Sequence, residues 1–583
     1  MWIGMAVLGL VIAASAGLSG AEGSAAKPAT PSVSPKKVTK AFEADSTKDT
    51  ETERNEKALA REASAVELEL QQLRELLESQ AKQLQAQSEQ LRQQQQKMQA
   101  LENQLRTANA PRENFSTAGG TTETLNGGPK QEKQATESPI AIRYKGITLT
   151  PGGFMAAEAV WRQRALSADV NTPLNAIPFP GSSMSRVTEF NASGRQSRIS
   201  MLAEGKLSSV KIGGYYEADF LSAGTTSNNN QSNSYTFRQR QFWGQAVLDS
   251  GWTFTGGQMW SLVTETRKGV QSRTEATPLT IDAQYTAGFS WARQFGFRVS
   301  KNLGDKLWLA FSVEGPQTTF GGRGFPNNFL IAAPGAGGGL FNATANYSFN
   351  ETPDFIVKAA FEPGWGHYEV FGVFRVFRSR IFPNAPTSAA GAFNDTRSGG
   401  GIGANLRLPL LNKKLDVGVH FLGGDGINRY GTVGLPDATA RTDGTLALIR
   451  GGQALGTLEW HATPMLDIYV NVGGEYAART AYVNSSGGGV GYGSLLFNNS
   501  GCGTEALPTN QNNPGSPSSC AGDTRNIIEG TLGFWHRFYK GEKGTLQWGA
   551  QYSNVVRNTW SGTGGAPHGV ENMVFTSFRY YLP

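Results

Sequence analysis

The sequence predicts an all-β membrane protein, a 16-stranded antiparallel transmembrane β-barrel preceded by an α-helical coiled coil. Three observations predict it. Beyond Ile140, stretches of about ten residues alternate apolar and polar, the period of a strand with two unlike faces. Their connections alternate between short turns and long loops rich in Gly, Asn, Ser and Thr. The composition agrees: 72 of 583 residues are Gly, against roughly 7% in average usage. The 31 Phe, 16 Tyr and 12 Trp are too many for a disordered chain, and only 17% of residues are charged. No run approaches the roughly 20 apolar residues that a helical span needs beyond an N-terminal stretch of 13.

That stretch, residues 2–14, precedes an Ala14-Ser15-Ala16 cleavage pattern with a second option ending at Ala21, so residues 1–21 read as a secretory signal peptide. Residues 22–56 are rich in Lys, Pro, Thr, Ser and acids and read as a disordered polar tail. Residues 57–108 carry heptads. Leu70, Leu77, Leu84, Leu91, Met98 and Leu105 repeat at one core position, and Val66, Leu73, Gln80, Gln87, Gln94 and Leu101 at the other. That is a periplasmic coiled coil whose Gln layers need partners from sister chains, which weakens the coil but specifies register and chain number. Residues 109–140, opened by Pro111, form a flexible linker, and residues 141–583 form the barrel.

Within the barrel, Val210, Ile212, Tyr216 and Ala218 share one strand face, and Lys211, Tyr215, Glu217 and Asp219 the other. Short turns fall near 206–209, 249–251, 302–306, 362–365, 410–414, 462–464 and 540–544. Long loops fall at 166–194, 222–233, 261–289, 315–352, 379–398, 423–451, 481–524 and 558–568. Seven turns and eight loops make sixteen strands, and an even number with two-sided loop asymmetry is the plan of an outer-membrane barrel. Trp243, Trp252, Trp260, Trp460, Trp535, Tyr539, Trp548 and Tyr580 lie near strand ends, as interfacial girdles require.

Strand parity points Arg198, Lys211, Arg238, Arg240, Arg298, Lys358 and Arg375 into the lumen, together with Glu217, Asp219 and Glu369. Glu204, Glu314, Asp467 and Glu529 share that parity. The arginines of the second and fourth strands flank Glu217 and Asp219 on the third, which allows either a charge-filtering field across a pore or a self-satisfied salt-bridge ladder. Residues 1–140 hold 16 Lys or Arg against 18 Asp or Glu, and the remainder holds 37 against 29. The positive balance therefore belongs to the barrel. It favours anionic solutes or lipopolysaccharide phosphates, and no nucleic-acid module accompanies it. Cys502 and Cys520 share one long loop of a chain bound for an oxidising compartment, so a disulfide is expected. Five His, none in a metalloprotease pattern, and the lack of a placed nucleophile motif give no enzyme, cofactor or metal reading.

The strings Arg195–Ser200 (RQSRIS), Gly213–Phe220 (GGYYEADF), Phe237–Gln241 (FRQRQ) and Gly257–Ser261 (GQMWS) resemble the DcaP-like trimeric outer-membrane porins. The motifs span about 195–262, and the layout of coil then barrel matches over nearly the whole chain. The resemblance implies a homotrimer that passes small, mostly anionic solutes such as carboxylates by diffusion. It also implies that the third long loop folds inward, with Glu265, Arg267, Lys268, Arg273, Glu275 and Asp282 as constriction residues. The alternative expectation is a structural outer-membrane barrel whose coil tethers or spaces the envelope against peptidoglycan.

Overall fold

The computed structural model describes residues 141–221, 236–282, 286–334 and 346–583, with Glu89 ahead of them. The signal-peptide, tail and linker expectations lie outside the described residues, as does the coiled coil apart from Glu89. Among the described residues, no helix is long and apolar enough to cross a membrane.

The wall is a closed sheet of sixteen antiparallel strands. They are β1 (Ile147–Arg162), β2 (in two parts, Glu189–Ser193 and Arg198–Leu207), β3 (Val210–Asp219), β4 (Arg238–Leu248), β5 (Trp252–Trp260) and β6 (Arg293–Leu303). Then come β7 (Leu307–Glu314), β8 (Asp354–Phe361), β9 (His367–Ile381), β10 (Phe393–Leu410) and β11 (Leu415–Asp425). The last are β12 (Arg450–Thr463), β13 (Leu466–Ala477), β14 (Thr524–Gly541), β15 (Gly544–Thr559) and β16 (His568–Tyr581). Each pairs with its neighbour in sequence, and β16 returns to β1 with Tyr581 opposite Phe154. Closure leaves no unpaired edge, which a hydrocarbon surround requires. The short turns and long loops fall where the alternation of connections puts them, and the eight long loops are L1 to L8 in chain order.

The two faces of the wall separate cleanly. On β9, Val370 is 59% and Phe374 49% exposed, while their neighbours Glu369 and Arg375 are each 1% exposed. Apolar side chains thus face outward and polar ones inward, the reverse of a soluble core. The aromatic residues divide between both faces. Trp252, Trp460, Tyr539 and Trp548 are exposed on the outside, as girdle residues should be. Trp243, Trp260 and Trp535 are instead buried inside, so the girdle expectation is corrected for these three. Position near a strand end does not distinguish a membrane-facing indole from one that packs on a loop inside the lumen.

Candidate pore and its constriction loop

L3, residues 261–292, enters the lumen and crosses it. Its first arm is held by strands β6 to β12. Arg298 donates to the Trp260 carbonyl at 2.7 Å, and the Leu262 N–H donates to Glu314 at 2.8 Å. Lys358 donates both to the Thr264 carbonyl and to Glu369, each at 2.8 Å. Glu369 accepts the Thr266 N–H as well. Arg407 reaches Glu265 at 2.7 Å, and Arg267 reaches Glu459 at 3.1 Å. The second arm docks on the opposite wall. Trp535 donates to the Leu279 carbonyl at 2.7 Å, Gln551 accepts the Ile281 N–H at 2.6 Å, and Arg579 donates to the Ile281 carbonyl. The chain then returns, with Ala287 N–H on Glu529 and Gly288 N–H on Glu475. Residues 283–285 lie outside the described residues.

A strand-like wall would not accept a loop this close without glycine at two places. Gly269 has φ +54°, and a Cβ there would stand 2.6 Å from the Trp308 ring. Gly288 has φ +85°, and a Cβ would stand 1.9 Å from the Ala454 carbonyl oxygen of β12. Both positions combine left-handed backbone with close approach, which only glycine satisfies.

The sequence-derived bases divide into two groups. Lys358 and Arg375 face inward but are 3% and 1% exposed and hold loops, while Arg298, 4% exposed, holds the Trp260 carbonyl and also borders a lumen cavity. Arg375 pairs with Asp354 at 3.1 Å and Asp437 at 3.0 Å and donates to the Gly426 and Gln317 carbonyls, tying L4 and L6 to the wall. Arg198, Arg240 and Lys211 line the lumen cavities, Arg240 while only 2% exposed, and the Arg238 side chain is 27% exposed. Arg240 bonds both Glu217 and Asp219 at 2.7 Å, Arg238 bonds Asp219 at 2.8 Å, and Arg198 stands 3.5 Å from Glu217. The basic wall and its acids therefore form a cross-strand ladder, with two acids among three arginines.

Beside L3 the lumen keeps a cavity of about 630 Å³. Arg198, Arg240, Arg273, Arg537 and Arg579 line it together with Glu217, Glu275 and Asp467. A second cavity of about 470 Å³ on the β2–β7 side carries Lys211, Glu204 and Arg298, and Arg273 borders both. Arg273 is one of three exposed cations of L3, with Arg267 and Lys268. Its φ is +70°, it stacks 4.8 Å over the Tyr215 ring, and it makes no ion pair among the described residues. Lys268 is exposed, and Glu275 accepts the Arg273 N–H at 3.3 Å. Asp282 is 5% exposed and accepts the Thr172 N–H of L1 at 3.1 Å. Burial pushes its carboxyl up to about 8.

Sequence reasoning missed the anchors Arg407, Glu459, Glu475, Gln551 and Trp535. All have inward parity, but their partners on L3 lie up to 270 residues away, as Gln551 does from Ile281. L7 carries the Cys502–Cys520 disulfide, with Cα atoms 4.7 Å apart, and its Cys502 carbonyl accepts the Gly181 N–H of L1.

A closed sixteen-stranded barrel crossed by its third long loop is the architecture of porin-type outer-membrane barrels. The outer-membrane channel DcaP of Acinetobacter baumannii shares this fold at 14% identity over 76% of this chain and 99% of that one, with a TM-score of 0.51. The anion-selective porin of Comamonas acidovorans matches at 10% identity over 75% of this chain and 100% of that one, with a TM-score of 0.39. OmpT of Vibrio cholerae matches at 8% identity over 76% and 99%, also at 0.39. The DcaP channel has the fold that the motifs in residues 195–262 imply. No protein-family model and no curated protein matches the chain.

Proposed function

We propose that the protein is an outer-membrane diffusion channel, not an enzyme, for small hydrophilic solutes, with a preference for anions such as carboxylates. One observation carries this reading: the cavity beside L3 is lined by five arginines and three acids. Excess positive charge in a narrow, low-dielectric passage raises the local concentration of anions and repels cations. Arg273, unpaired on the loop that narrows the passage, contributes most, and Arg198 and Arg240 contribute what Glu217 and Asp219 leave uncompensated. Outer-membrane residence follows from the apolar outer face, and lipopolysaccharide and lipid are the surrounding partners. A homotrimer with the coil in the periplasm completes the reading, supported by the heptads at residues 57–108. The proposed domain limits are those of the sequence: 1–21, 22–56, 57–108, 109–140 and 141–583.

A structural barrel that tethers the envelope is the second reading. It draws on how fully L3 and L6 occupy the lumen, where Ile427, Tyr430 and Leu435 of L6 are wholly buried. Liposome swelling separates the two. Proteoliposomes of the purified chain should swell in small carboxylates faster than in neutral sugars of equal size. Swelling no faster than in empty liposomes would favour the structural barrel.

A further inference from the structure

The register of three strands gathers a set of donor atoms at the end of the lumen nearest the short turns. Asp416 of β11 stands opposite Glu459 of β12, and His461 of β12 stands opposite Asp467 of β13. Glu459 and His461 are two apart on one strand and so share its inner face. Oxygen atoms of Asp416 and Glu459 and a ring nitrogen of His461 all lie within 4.8 Å of one another. His461 Nε2 is 3.7 Å from an Asp416 oxygen. Two ligands of a tetrahedral zinc ion stand roughly 3.4 Å apart, so side-chain rotation closes the difference.

The other ring nitrogen supplies an independent observation. His461 Nδ1 lies 2.8 Å from Asp467, whose second oxygen accepts from Arg537. A carboxylate at Nδ1 keeps the proton there and turns the Nε2 lone pair toward Asp416 and Glu459. Metal-binding histidines carry this same outer partner.

We propose that Asp416, Glu459 and His461 form a site for a borderline divalent cation, best fitted by zinc, and that the Arg267 guanidinium of L3 is the charge the cation displaces. One nitrogen with two carboxylates suits zinc or copper(II), whereas magnesium and calcium prefer all-oxygen shells. Arg267 holds the position now, 3.1 Å from Glu459 and 3.5 Å from Asp416, and the buried Arg407 guanidinium stands 3.7 Å from the other Glu459 oxygen. Its side chain is 37% exposed, so it can leave into the lumen without opening buried structure. Glu265 on Arg407 and the Thr264 carbonyl on Lys358 still hold the arm when it does. Binding therefore replaces one positive charge at the acids by two and returns Arg267 to the lumen. The expected consequence, a stronger anion preference with zinc, rests on the channel reading; the binding itself does not.

The test titrates the full chain, without a histidine tag, with zinc against a chromogenic chelator in detergent. One zinc per chain is expected. His461→Gln should weaken binding at least about tenfold, and Asp467→Asn should weaken it by roughly ten- to a hundredfold through the ring orientation. Arg267→Ala should tighten binding, because the competitor is gone; an adventitious surface site would not respond to it. Magnesium should not compete. No zinc bound by the full chain across that titration would overturn the site. So would binding indifferent to both His461→Gln and Arg267→Ala. Zinc binding with these responses but no ion current in bilayers would keep the site and defeat the channel reading.

Discussion

Arg407 on β10 donates to Glu265 of L3 at 2.7 Å, and the two side chains are only 5% and 7% exposed. The loop that narrows the lumen is thus fixed by a buried ion pair between residues 142 apart in sequence. Removing one partner leaves the other charged and buried, which costs roughly 3–5 kcal/mol. Arg407→Ala should therefore loosen the first arm of L3 around Glu265, while Lys358 and Glu369 still hold Thr264 and Thr266. Limited proteolysis should cut within 261–276 in this variant and not in the wild type, while the heat-resistant barrel band persists on gels.

Arg273 projects where the two lumen cavities meet. Arg273→Ser should reduce the anion-to-cation permeability ratio by roughly two- to fivefold, the scale of one charge in a narrow polar passage. Arg273→Glu should lower it further. A ratio unchanged in both variants would remove Arg273 from the account of selectivity.

Gly288 meets the wall of β12, and an added Cβ would lie 1.9 Å from the Ala454 carbonyl oxygen. Gly288→Ala should force the returning arm off the wall and cost roughly 1–3 kcal/mol through the strained backbone alone. Thermal unfolding should start lower, and single-channel conductance should rise as the passage widens.

How much of this was legible in the sequence differs between wall and lumen. The strand count could be read because every turn and loop is punctuated locally by Gly, Asn, Ser or Pro, so no long-range information was needed. Parity likewise placed Arg198, Arg240, Lys358 and Arg375 on the inner face. It could not separate Arg273, which meets the cavity, from Arg375, which is sealed beneath L4 and L6, because neither strand parity nor loop composition tells what packs on a side chain inside the lumen. The difference lies in tertiary contacts such as Trp535 with Leu279, 256 residues away, which leave no periodic trace. The misassigned indoles have the same cause.

Asp282 gives L3 a pH response. Its folded carboxyl titrates at about 8, above its ordinary range, because it is buried against L1. A raised pKa stabilises the docked loop fully below the ordinary carboxylate range. That contribution falls as pH rises and is gone above about 8. Hydrogen exchange at residues 279–282 should therefore speed up, beyond the intrinsic base-catalysed rate, as pH rises toward about 8, and level off above it. Asp282→Asn should flatten that dependence.

Reduction of Cys502–Cys520 should loosen L7 only. The bond spans 18 residues of sequence. In the chain-entropy model a loop of that size is worth roughly 3 kcal/mol. Protease sensitivity within 504–518 should appear on reduction, with the barrel's melting unchanged.

The central claim is that the lumen conducts and favours anions. The reversal potential of the purified full chain in a planar bilayer under a KCl gradient tests it most directly. The account predicts stepwise channel currents whose reversal potential lies toward the chloride equilibrium value. A reversal potential toward the potassium value, or a reconstituted protein that passes no current, would contradict it.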